Sequence, residues 1–265
     1  MAATKVVLVT GANTGLGFQI AKAICGSDAP YEVLLGGRSI HKAEEAVKNL
    51  KEEFPKSHLH PIQVDVEQDA SIASAFEYVK IKFGKLDALI NNAGAQLDQQ
   101  LIAGKMTARE MWNKTYDVNV TGAHIMTWTF APLLLESDDP RLIFIASGTS
   151  SLATSENPDF FINNRQPKGW PKTLTNIDVP AYRSSKTGMN MMVREWNRIL
   201  GEDGVKVWAI SPGYLATGLG VGQETNQKQG AIDPAIGAAL VKDVLEGLRD
   251  ADVGKVVLKQ GIQPW

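Results

Sequence analysis

The sequence predicts an α/β fold: a doubly wound, mostly parallel sheet of about seven strands flanked by helices, in one domain covering residues 1–265. Short runs rich in β-branched residues alternate along the chain with longer segments whose apolar residues recur at helical spacing. Strands separated by helices imply βαβ units, which place helices on both faces of the sheet. No linker, internal repeat or low-complexity tract divides the chain, so we expect a single domain.

Seven runs are predicted as strands because each is short and apolar, a pattern typical of strands buried on both faces. The runs are residues 5–10, 31–37, 58–66, 86–94, 141–147, 205–211 and 254–260. Helical spacing predicts six helices between or after them. The helices are residues 16–26, 40–54, 71–83, 108–135, 181–200 and 234–248, of which 108–135 is compatible with one break. Pro55 ends the second helix, and Pro234 suits the first turn of the last.

The overall charge and the cysteine content argue against several classes of protein. The formal net charge is −2, which argues against a general affinity for nucleic acid or anionic membranes. Cys25 is the only cysteine, so no internal disulfide can form, and a reducing compartment such as the cytoplasm is expected. The first residues lack a signal-peptide pattern, and no apolar run reaches the length of a membrane span. His58 and His60 suit the exposed face of a strand better than a metal site, so we expect no metal.

The segment TGANTGLG, residues 10–17, connects the first predicted strand to the first predicted helix. Its three glycines permit a tight turn and a close approach of the backbone to a phosphate. The helix that follows offers unpaired N–H groups and the positive end of its dipole. The position of this turn therefore predicts a nucleotide phosphate site. The candidate residues are Gly11, Asn13, Thr14, Gly15, Leu16 and Gly17.

Three further motifs follow the glycine turn: NNAG at 91–94, YRSSK at 182–186 and PGYLAT at 212–217. With these four motifs in this order, the chain resembles the short-chain dehydrogenase/reductase family over about residues 5–260. Each motif is weak alone, whereas the four in sequence are specific. The resemblance implies a Rossmann-type fold, a nicotinamide cofactor and hydride transfer to or from a small molecule. The main departure from the family pattern is the run 153–179.

The end of the second strand, LLGGRS, bears on which nicotinamide cofactor binds. In this kind of fold an acidic residue there hydrogen-bonds the adenosine ribose and selects NAD, whereas a nearby Arg accommodates a 2′-phosphate. Gly37 stands where the acid would be, Arg38 follows it, and Ser39 adds a hydroxyl donor. We therefore expect NADP(H). The alternative is that Arg38 is only a solvated loop charge.

The resemblance implies further contacts to the cofactor. Asp65 and Val66 would lie beside the adenine, although Asp65 also suits the end of a strand or the start of a helix as a polar residue. The other implied contacts are Asn91, Ala93 and Gly94 along the cleft, and Pro212, Gly213 and Thr217 beside the nicotinamide.

Tyr182 and Lys186 are four residues apart, so on a helix their side chains share a face. A free phenol has a pKa of about 10, too high for efficient proton exchange at neutral pH, and a neighbouring ammonium group would lower it. The pair predicts a Tyr182 that donates a proton to a carbonyl oxygen in reduction and accepts one in oxidation. The resemblance implies that Lys186 also holds the hydroxyl groups of the nicotinamide ribose.

Ser147 closes the fifth predicted strand, where side chains face the ligand crevice of an open α/β sheet. The resemblance makes Ser147 the hydroxyl that hydrogen-bonds the substrate oxygen, and Thr149 and Ser150 remain alternatives. It also implies that Asn119 supports a water molecule that relays protons to Lys186. An Asn within a predicted helix lowers helix propensity, which favours a special role.

Two segments are candidates for substrate contact. Residues 153–179 lengthen the chain between Ser147 and Tyr182 and lead into the helix of Tyr182. Their aromatic residues either form an apolar wall for a bulky substrate or pin the loop to the body of the protein. These aromatic residues are Phe160, Phe161 and Trp170. Residues 215–230 are either a substrate flap or a surface loop.

These observations predict an NADPH-dependent enzyme that reduces a ketone or aldehyde to the alcohol, reversibly. An imine or enone reductase on the same scaffold is a second interpretation, and no residue separates the two. A nucleotide-sensing module without catalysis is a third, disfavoured because both Tyr182 and Lys186 are present. The predicted partner is a small carbonyl or alcohol molecule. The resemblance leaves a monomer and a homo-oligomer both open.

Overall fold

In residues 4–265, the part of the chain that the computed structural model describes, eight strands form one mostly parallel sheet. The strands are β1 (Lys5–Val9), β2 (Tyr31–Gly37), β3 (His58–Gln63), β4 (Ala88–Asn91), β5 (Arg141–Ile145), β6 (Lys206–Ile210), β7 (Val256–Val257) and β8 (Ile262–Gln263). Their order is β3-β2-β1-β4-β5-β6-β7-β8. Only the last pair, β7 and β8, is antiparallel. The predicted fold class is confirmed.

The sheet has one strand more than the sequence predicts. β8 spans two residues, which is too short for a hydrophobic pattern to show. Other strands are shorter than predicted: β3 ends at Gln63 rather than at residue 66, and β7 covers two residues of the predicted 254–260. At these ends the apolar residues continue beyond the hydrogen-bonded ladder, so hydropathy predicts a strand that is too long.

All six predicted helices are present, and the described chain adds short ones between them. The helices are α1 (Gly15–Cys25), α2 (Ile40–Glu53), α3 (Asp69–Phe83), α4 (Asp98–Ile102), α5 (Ala108–Tyr116), α6 (Gly122–Leu134), α7 (Leu152–Ser155), α8 (Pro180–Leu200), α9 (Gln223–Lys228) and α10 (Pro234–Leu245). The predicted 108–135 helix corresponds to α5 and α6. Between them Asp117–Thr121 forms a π-helical turn, so the helix widens there and does not break.

Each face of the sheet is covered by its own apolar layer. Alternate residues of β1 show the division, since Val6 and Leu8 belong to one layer and Val7 and Val9 to the other. Helices α3, α6 and α8 cover the first layer, and α1, α2 and α10 cover the second. Helices on both faces make the sheet doubly wound, as predicted.

The strand order reverses between β1 and β4. From β1 the chain adds β2 and β3 on one side, whereas β4 to β8 extend the sheet on the other. Such a switch point opens a crevice at the carboxyl ends of the strands, where ligands bind in open α/β sheets. The glycine turn of residues 10–17 follows β1 and the NNAG motif includes the end of β4, so both motifs border this crevice.

Among residues 4–265, no helix combines the length and the apolar character needed to cross a membrane. In the same part of the chain, no group of three or more His, Cys, Asp or Glu side chains is placed to hold a metal ion. His60 instead contacts the carboxylate of Glu32 on β2, and its Nδ1 lies 2.9 Å from the Nζ of Lys82 on α3.

Candidate active site

The glycine turn after β1 has the tight backbone that the sequence predicts. Gly11 and Gly15 adopt φ angles of 64° and 57°, in the region that favours glycine. A Cβ atom on Gly17 would lie 2.3 Å from the carbonyl oxygen of Gly11, so a larger residue does not fit where α1 meets the turn. Thr14 stands at the N-cap of α1 without a side-chain capping bond, and Leu16 packs partly against the apolar layer beneath. The N-terminus of α1 therefore suits an anionic ligand.

Asn92, absent from the predicted set, holds the glycine turn to the end of β4. Its Nδ2 donates to the carbonyl oxygens of Thr10 at 2.8 Å and Gly11 at 3.2 Å. In return, the Thr10 hydroxyl accepts the backbone N–H groups of Asn92 and Ala93, both at 3.0 Å. These bonds fix the distance between the two motifs that border the crevice. The signal for Asn92 in the sequence is the second Asn of NNAG.

The other residues of the NNAG motif point in different directions. Asn91 is 3% exposed, and its Nδ2 donates to the hydroxyl of Thr127 at 3.1 Å, so its side chain faces α6 and not the crevice. Gly94 is exposed, and a Cβ atom there would lie 3.3 Å from Asn119 Oδ1 and 3.6 Å from Lys186 Nζ. A ligand lying across Gly94 would therefore come close to both of these side chains.

The end of β2 carries no acidic side chain. Gly37 is buried there, and a Cβ atom on it would lie 3.2 Å from the Oδ1 of Asn13, which occupies the adjacent space. Arg38 is exposed, and Ser39 stands at the N-cap of α2 without a side-chain capping bond. The guanidinium and the hydroxyl are thus both open to a ligand.

The turn after β3 borders the same end of the crevice. The Oδ1 of Asp65 accepts the backbone N–H of Glu67 at 3.1 Å, which is the turn role expected of a polar residue at a strand end. Val66 packs against the start of α6, where a Cβ atom on Gly122 would lie 2.6 Å from the Val66 carbonyl oxygen. Gly122 is a second position at which only glycine fits.

Tyr182 and Lys186 share a face of α8. Lys186 is 3% exposed, its Nζ lies 5.9 Å from the centre of the Tyr182 ring, and it donates to the carbonyl oxygen of Ile145 at 2.7 Å. Burial lowers the pKa of Lys186 from 10.5 to about 7. Burial also raises the pKa of Tyr182, an effect that the hydrogen bond from the Ser147 side chain opposes.

The pKa of Tyr182 thus differs from the sequence-based expectation, which had the lysine lower it. The loss of solvent around the phenol dominates in the protein alone. Lys186 offers little compensation, because a lysine with a pKa of about 7 carries only part of its charge at neutral pH.

The hydroxyl group of Ser147 lies at the start of a short 3₁₀ turn after β5. It accepts the Thr149 N–H at 3.2 Å and lies 3.0 Å from the Thr149 hydroxyl. Ser150 is fully buried, and its hydroxyl donates to the Ser147 carbonyl oxygen at 2.6 Å. Gln263 in β8 donates to the same carbonyl at 3.1 Å. Of the three candidate hydroxyls, those of Ser147 and Thr149 therefore remain at the crevice.

Asn119 is fully buried in the π-helical turn. Its Oδ1 accepts the N–H of Ala95 at 2.8 Å, and its Nδ2 donates to the Ala95 carbonyl at 2.8 Å and to the Ser185 hydroxyl at 2.9 Å. The side chain therefore joins the loop after β4 to the helix of Tyr182.

Asp98, also absent from the predicted set, caps α8 from a distance. It is 2% exposed, and its carboxylate accepts the N–H groups of Ala181 at 3.0 Å and Tyr182 at 3.3 Å. Burial raises the pKa of Asp98, while these backbone hydrogen bonds act against the rise. A negative charge at this end of α8 is favoured by the helix dipole.

A family model covers most of the sequence. Residues 5–158 and 173–228 match the model of the short chain dehydrogenase family. The chain belongs to this family. Its members are oxidoreductases that act on small molecules with nicotinamide cofactors. The predicted family membership is confirmed.

Two relatives are similar to this short-chain dehydrogenase over almost their whole length. The short-chain dehydrogenase/reductase eupG from Phoma sp is 47% identical, with 98% of this chain and 97% of that protein covered. The short-chain dehydrogenase/reductase tropE from Talaromyces stipitatus is 48% identical, with 98% of each covered.

Solved structures share the fold. An NADPH-bound carbonyl reductase from chicken fatty liver matches with a TM-score of 0.79 over 100% of both chains, at 23% identity. Salutaridine reductase from Papaver somniferum matches with a TM-score of 0.72, covering 95% of this chain and 99% of that one, also at 23% identity. At this identity the likeness concerns the fold.

The family match omits residues 159–172, which lie within the 153–179 segment. Trp170 is 87% exposed and Phe161 is 57% exposed, and Phe160 meets Phe161 edge-on at 5.6 Å. Neither Trp170 nor Phe161 is buried against the body of the short-chain dehydrogenase, so these two rings do not pin the segment. Polar bonds organise the segment internally, among them those from Asn163 Nδ2 to the carbonyls of Thr154 and Asn157, both at 2.9 Å.

The 215–230 segment is ordered around Asn226, which is 5% exposed. The Asn226 Nδ2 donates to the carbonyls of Thr217 and Leu219, both at 2.9 Å, and the Tyr214 hydroxyl donates to its Oδ1 at 2.9 Å. A Cβ atom on Gly15 would lie 3.5 Å from the Cβ of Thr217. The start of this segment therefore lies against the glycine turn.

The turn after β6 leads the chain into that segment. Gly213 has a φ angle of 100°, and Pro212 packs against α10, where a Cβ atom on Gly237 would lie 2.9 Å from the Pro212 Cβ. Leu215 then forms an isolated bridge with Ile232. The bridge thus joins the two ends of the 215–230 segment to each other, and Pro212 ties the start of the segment to α10.

Proposed function

We propose that this protein is an NADPH-dependent carbonyl reductase that interconverts a ketone or aldehyde and the corresponding alcohol. One observation carries the proposal: Tyr182, Ser147 and Lys186 meet at the carboxyl end of β5, beside the crevice of the glycine turn. A phenol, a hydroxyl and an amine in this arrangement are able to bind and protonate a carbonyl oxygen. Membership of an oxidoreductase family supports the proposal.

The residues present fit a dinucleotide that bears a 2′-phosphate. The N–H groups at the start of α1 would bind the pyrophosphate. Arg38 and Ser39 would bind the 2′-phosphate, and Gly37 leaves out the acid that would repel it. Gly94 supports the fit, because a Cβ atom there would fill the space beside Lys186. The NADPH-bound carbonyl reductase from chicken fatty liver, which shares the fold, is in line with this choice.

The chain supplies a proton and a fixed position for the substrate oxygen. When bound, NADPH supplies the hydride that the carbonyl carbon receives. Tyr182 donates its hydroxyl proton to the carbonyl oxygen, and in the reverse direction its phenolate accepts the proton of the alcohol. Ser147 donates a hydrogen bond to the same oxygen and so orients the carbonyl. Thr149 holds the Ser147 hydroxyl in place at 3.0 Å.

Lys186 and Asn119 help to replace the proton that Tyr182 donates to the carbonyl oxygen. With a pKa of about 7, Lys186 exchanges its proton readily near neutral pH and so can return one to the site after each turnover. The side chain of Asn119 is engaged by Ala95 and Ser185. We therefore assign the proposed water relay to the backbone of the widened turn, which the Asn119 side chain keeps in place.

Replacing Tyr182 by Phe tests the proposal. The variant keeps the ring and lacks the proton donor, so we expect kcat for NADPH oxidation to fall by about 10²–10⁴-fold. A panel of ketones, aldehydes and quinones supplies the carbonyl substrates, and fluorescence titration checks that NADPH still binds. Tyr78→Phe, on the exposed face of α3, is a matched control, for which we expect the activity of the wild type. If Tyr182→Phe kept most of its activity, the proton donor would have to be another group.

A further inference from the structure

The residue that follows Tyr182 is an arginine whose guanidinium makes three hydrogen bonds to uncharged acceptors. Nη1 of Arg183 donates to the Ile162 carbonyl at 3.2 Å, Nη2 to Asn163 Oδ1 at 2.8 Å, and Nε to the Thr149 carbonyl at 3.3 Å. Bonds from a charged donor are stronger than those between neutral groups. Partial burial lowers the pKa of this guanidinium, as is expected where no carboxylate bond compensates for the lost solvent.

These three bonds join two loops through one side chain. Thr149 lies on the same loop as Ser147, and the hydroxyl groups of the two residues are 3.0 Å apart. Ile162 and Asn163 belong to the 3₁₀ turn Phe161–Asn163 in the 153–179 segment. The Arg183 side chain therefore connects this turn to the Ser147 loop.

The other end of the segment is held on α4. The Nε2 of Gln99 donates to the carbonyl of Asn176 at 3.3 Å, next to the point where Asp98 caps the helix of Tyr182. The 153–179 segment thus runs from the Ser147 loop to α4, across the start of the helix that presents the phenol. A molecule that approaches Tyr182 from this side must pass the segment.

The two most exposed aromatic rings of the segment do not hold it in this position. Trp170 and Phe161 are largely exposed. Asn163 organises the turn internally through the carbonyls of Thr154 and Asn157. The bond from Arg183 to Asn163 connects that small polar cluster to α8, so the placement of the turn depends on the guanidinium.

We propose that Arg183 is a positioning residue that fixes the 153–179 segment beside the mouth of the site and thereby sets the size of the carbonyl compound that is accepted. This inference rests on the proposed reductase function. Arg183 acts through Asn163 and Thr149 and does not touch the reacting atoms. A large ring system would lie against the segment, whereas a small aldehyde needs only Tyr182 and Ser147.

Two substitutions test this role with benzaldehyde and anthracene-9-carbaldehyde as probes in the presence of NADPH. Arg183→Met removes all three donors, and Arg183→Lys keeps the charge without the planar fork that spans three acceptors. In both variants we expect KM for the larger aldehyde to rise at least about tenfold, while kcat for benzaldehyde stays within about twofold. Arg198→Met, which removes an exposed pair with Glu195 on the same helix, is the matched control and keeps both constants.

Trypsin gives a second measurement that needs no turnover. Arg165, Lys168 and Lys172 lie in the segment, and we expect cleavage after them to become about tenfold faster in the Arg183 variants. This result distinguishes a failure of the present inference from a failure of the proposed reaction. NADPH titration and circular dichroism verify folding, and Arg183→Lys carries the comparison if Arg183→Met does not fold. Cleavage at the wild-type rate would overturn the inference, and faster cleavage with an unchanged KM for the larger aldehyde would overturn the role in size selection.

Discussion

The backbone N–H of Tyr182 donates to the carboxylate of Asp98 at 3.3 Å. The preceding N–H, from Ala181, donates to the same carboxylate at 3.0 Å. Helix α4 thus fixes the first turn of the helix that presents the phenol. The position of Tyr182 depends on a side chain that is 2% exposed and belongs to a different part of the chain.

Removing this cap should destabilise the protein. For Asp98→Ala we expect the free energy of unfolding to fall by about 1–2 kcal/mol, because two N–H groups lose their acceptor. Asp98→Asn keeps an acceptor oxygen and should lose less. Urea denaturation followed by circular dichroism measures both. An Ala variant as stable as the wild type would show that water replaces the carboxylate without loss.

The pH dependence of the same pair follows from the raised pKa of Asp98. The folded protein binds the Asp98 proton more tightly than the unfolded chain does, because the folded pKa lies above the ordinary 3.8. This tighter proton binding adds its full contribution to stability below pH 3.8, and the contribution is lost as the pH rises through the folded pKa. Asn does not titrate. The stability of the wild type minus that of Asp98→Asn should therefore fall from pH 4 to pH 7, and a rise would contradict the direction of the pKa shift.

The pKa of Lys186 is shifted in the opposite direction, so its effect on stability changes with pH in the opposite sense. Its folded pKa of about 7 lies below the ordinary 10.5, so its contribution is present above 10.5 and is lost as the pH falls to about 7. Lys186→Met has a similar length and no charge. The stability of the wild type relative to this variant should fall between pH 10 and pH 7 and then level off. Denaturation curves across this range would contradict the depressed pKa if the difference stayed constant.

Arg38 should matter for one cofactor and not for the other. For Arg38→Leu we expect the Kd of NADPH to rise about tenfold or more, because a charged hydrogen bond to the 2′-phosphate is lost, and the Kd of NADH to change little. Lys51→Leu, an exposed cation at the other end of α2, is the control. An equal rise in the Kd of NADPH and of NADH would show that Arg38 does not recognise the 2′-phosphate and is only a solvated charge on the loop.

The side chain of Asn92 can be tested by two substitutions, one that removes its amide and one that replaces the amide with a carboxylate. Asn92→Ala removes the bonds to the carbonyls of Thr10 and Gly11, and we expect NADPH binding to weaken about tenfold. Asn92→Asp places a carboxylate against the same two oxygens and should weaken binding further. Asn113→Ala on the exposed face of α5 serves as the control. An Asp variant that binds NADPH as well as the Ala variant would argue against the two donated bonds.

The fold was predictable where the chain carries a period long enough to see. All six predicted helices appear, and each of the seven predicted runs contains a strand of the sheet. The sequence did not predict β8 or the short helices α4, α7 and α9, because two to six residues are too few to show a hydrophobic period. The π-helical turn at Asp117–Thr121 was not predicted either, because the apolar spacing was compatible with one interruption of the helix but did not show that it would be a π-helical turn.

The site was predictable where its residues are neighbours in the chain. Tyr182 and Lys186 share a face because four residues make about one helical turn. Asn92 and Asp98 were missed because their partners are 82 and 83 positions away, so the contacts exist only once the sheet has formed. The pKa of Tyr182 was misjudged because the sequence shows the lysine and does not show the loss of solvent around the phenol and the amine.

The bond from Gln263 to the Ser147 carbonyl has a consequence for synthesis of the chain. Asn119, Ser147, Tyr182 and Lys186 all leave the ribosome before the β7–β8 hairpin does. A nascent chain that has emerged only as far as β6 contains these four residues and still lacks the amide that supports the Ser147 loop. The Ser147 loop is therefore expected to gain this support only when the β7–β8 hairpin joins the sheet.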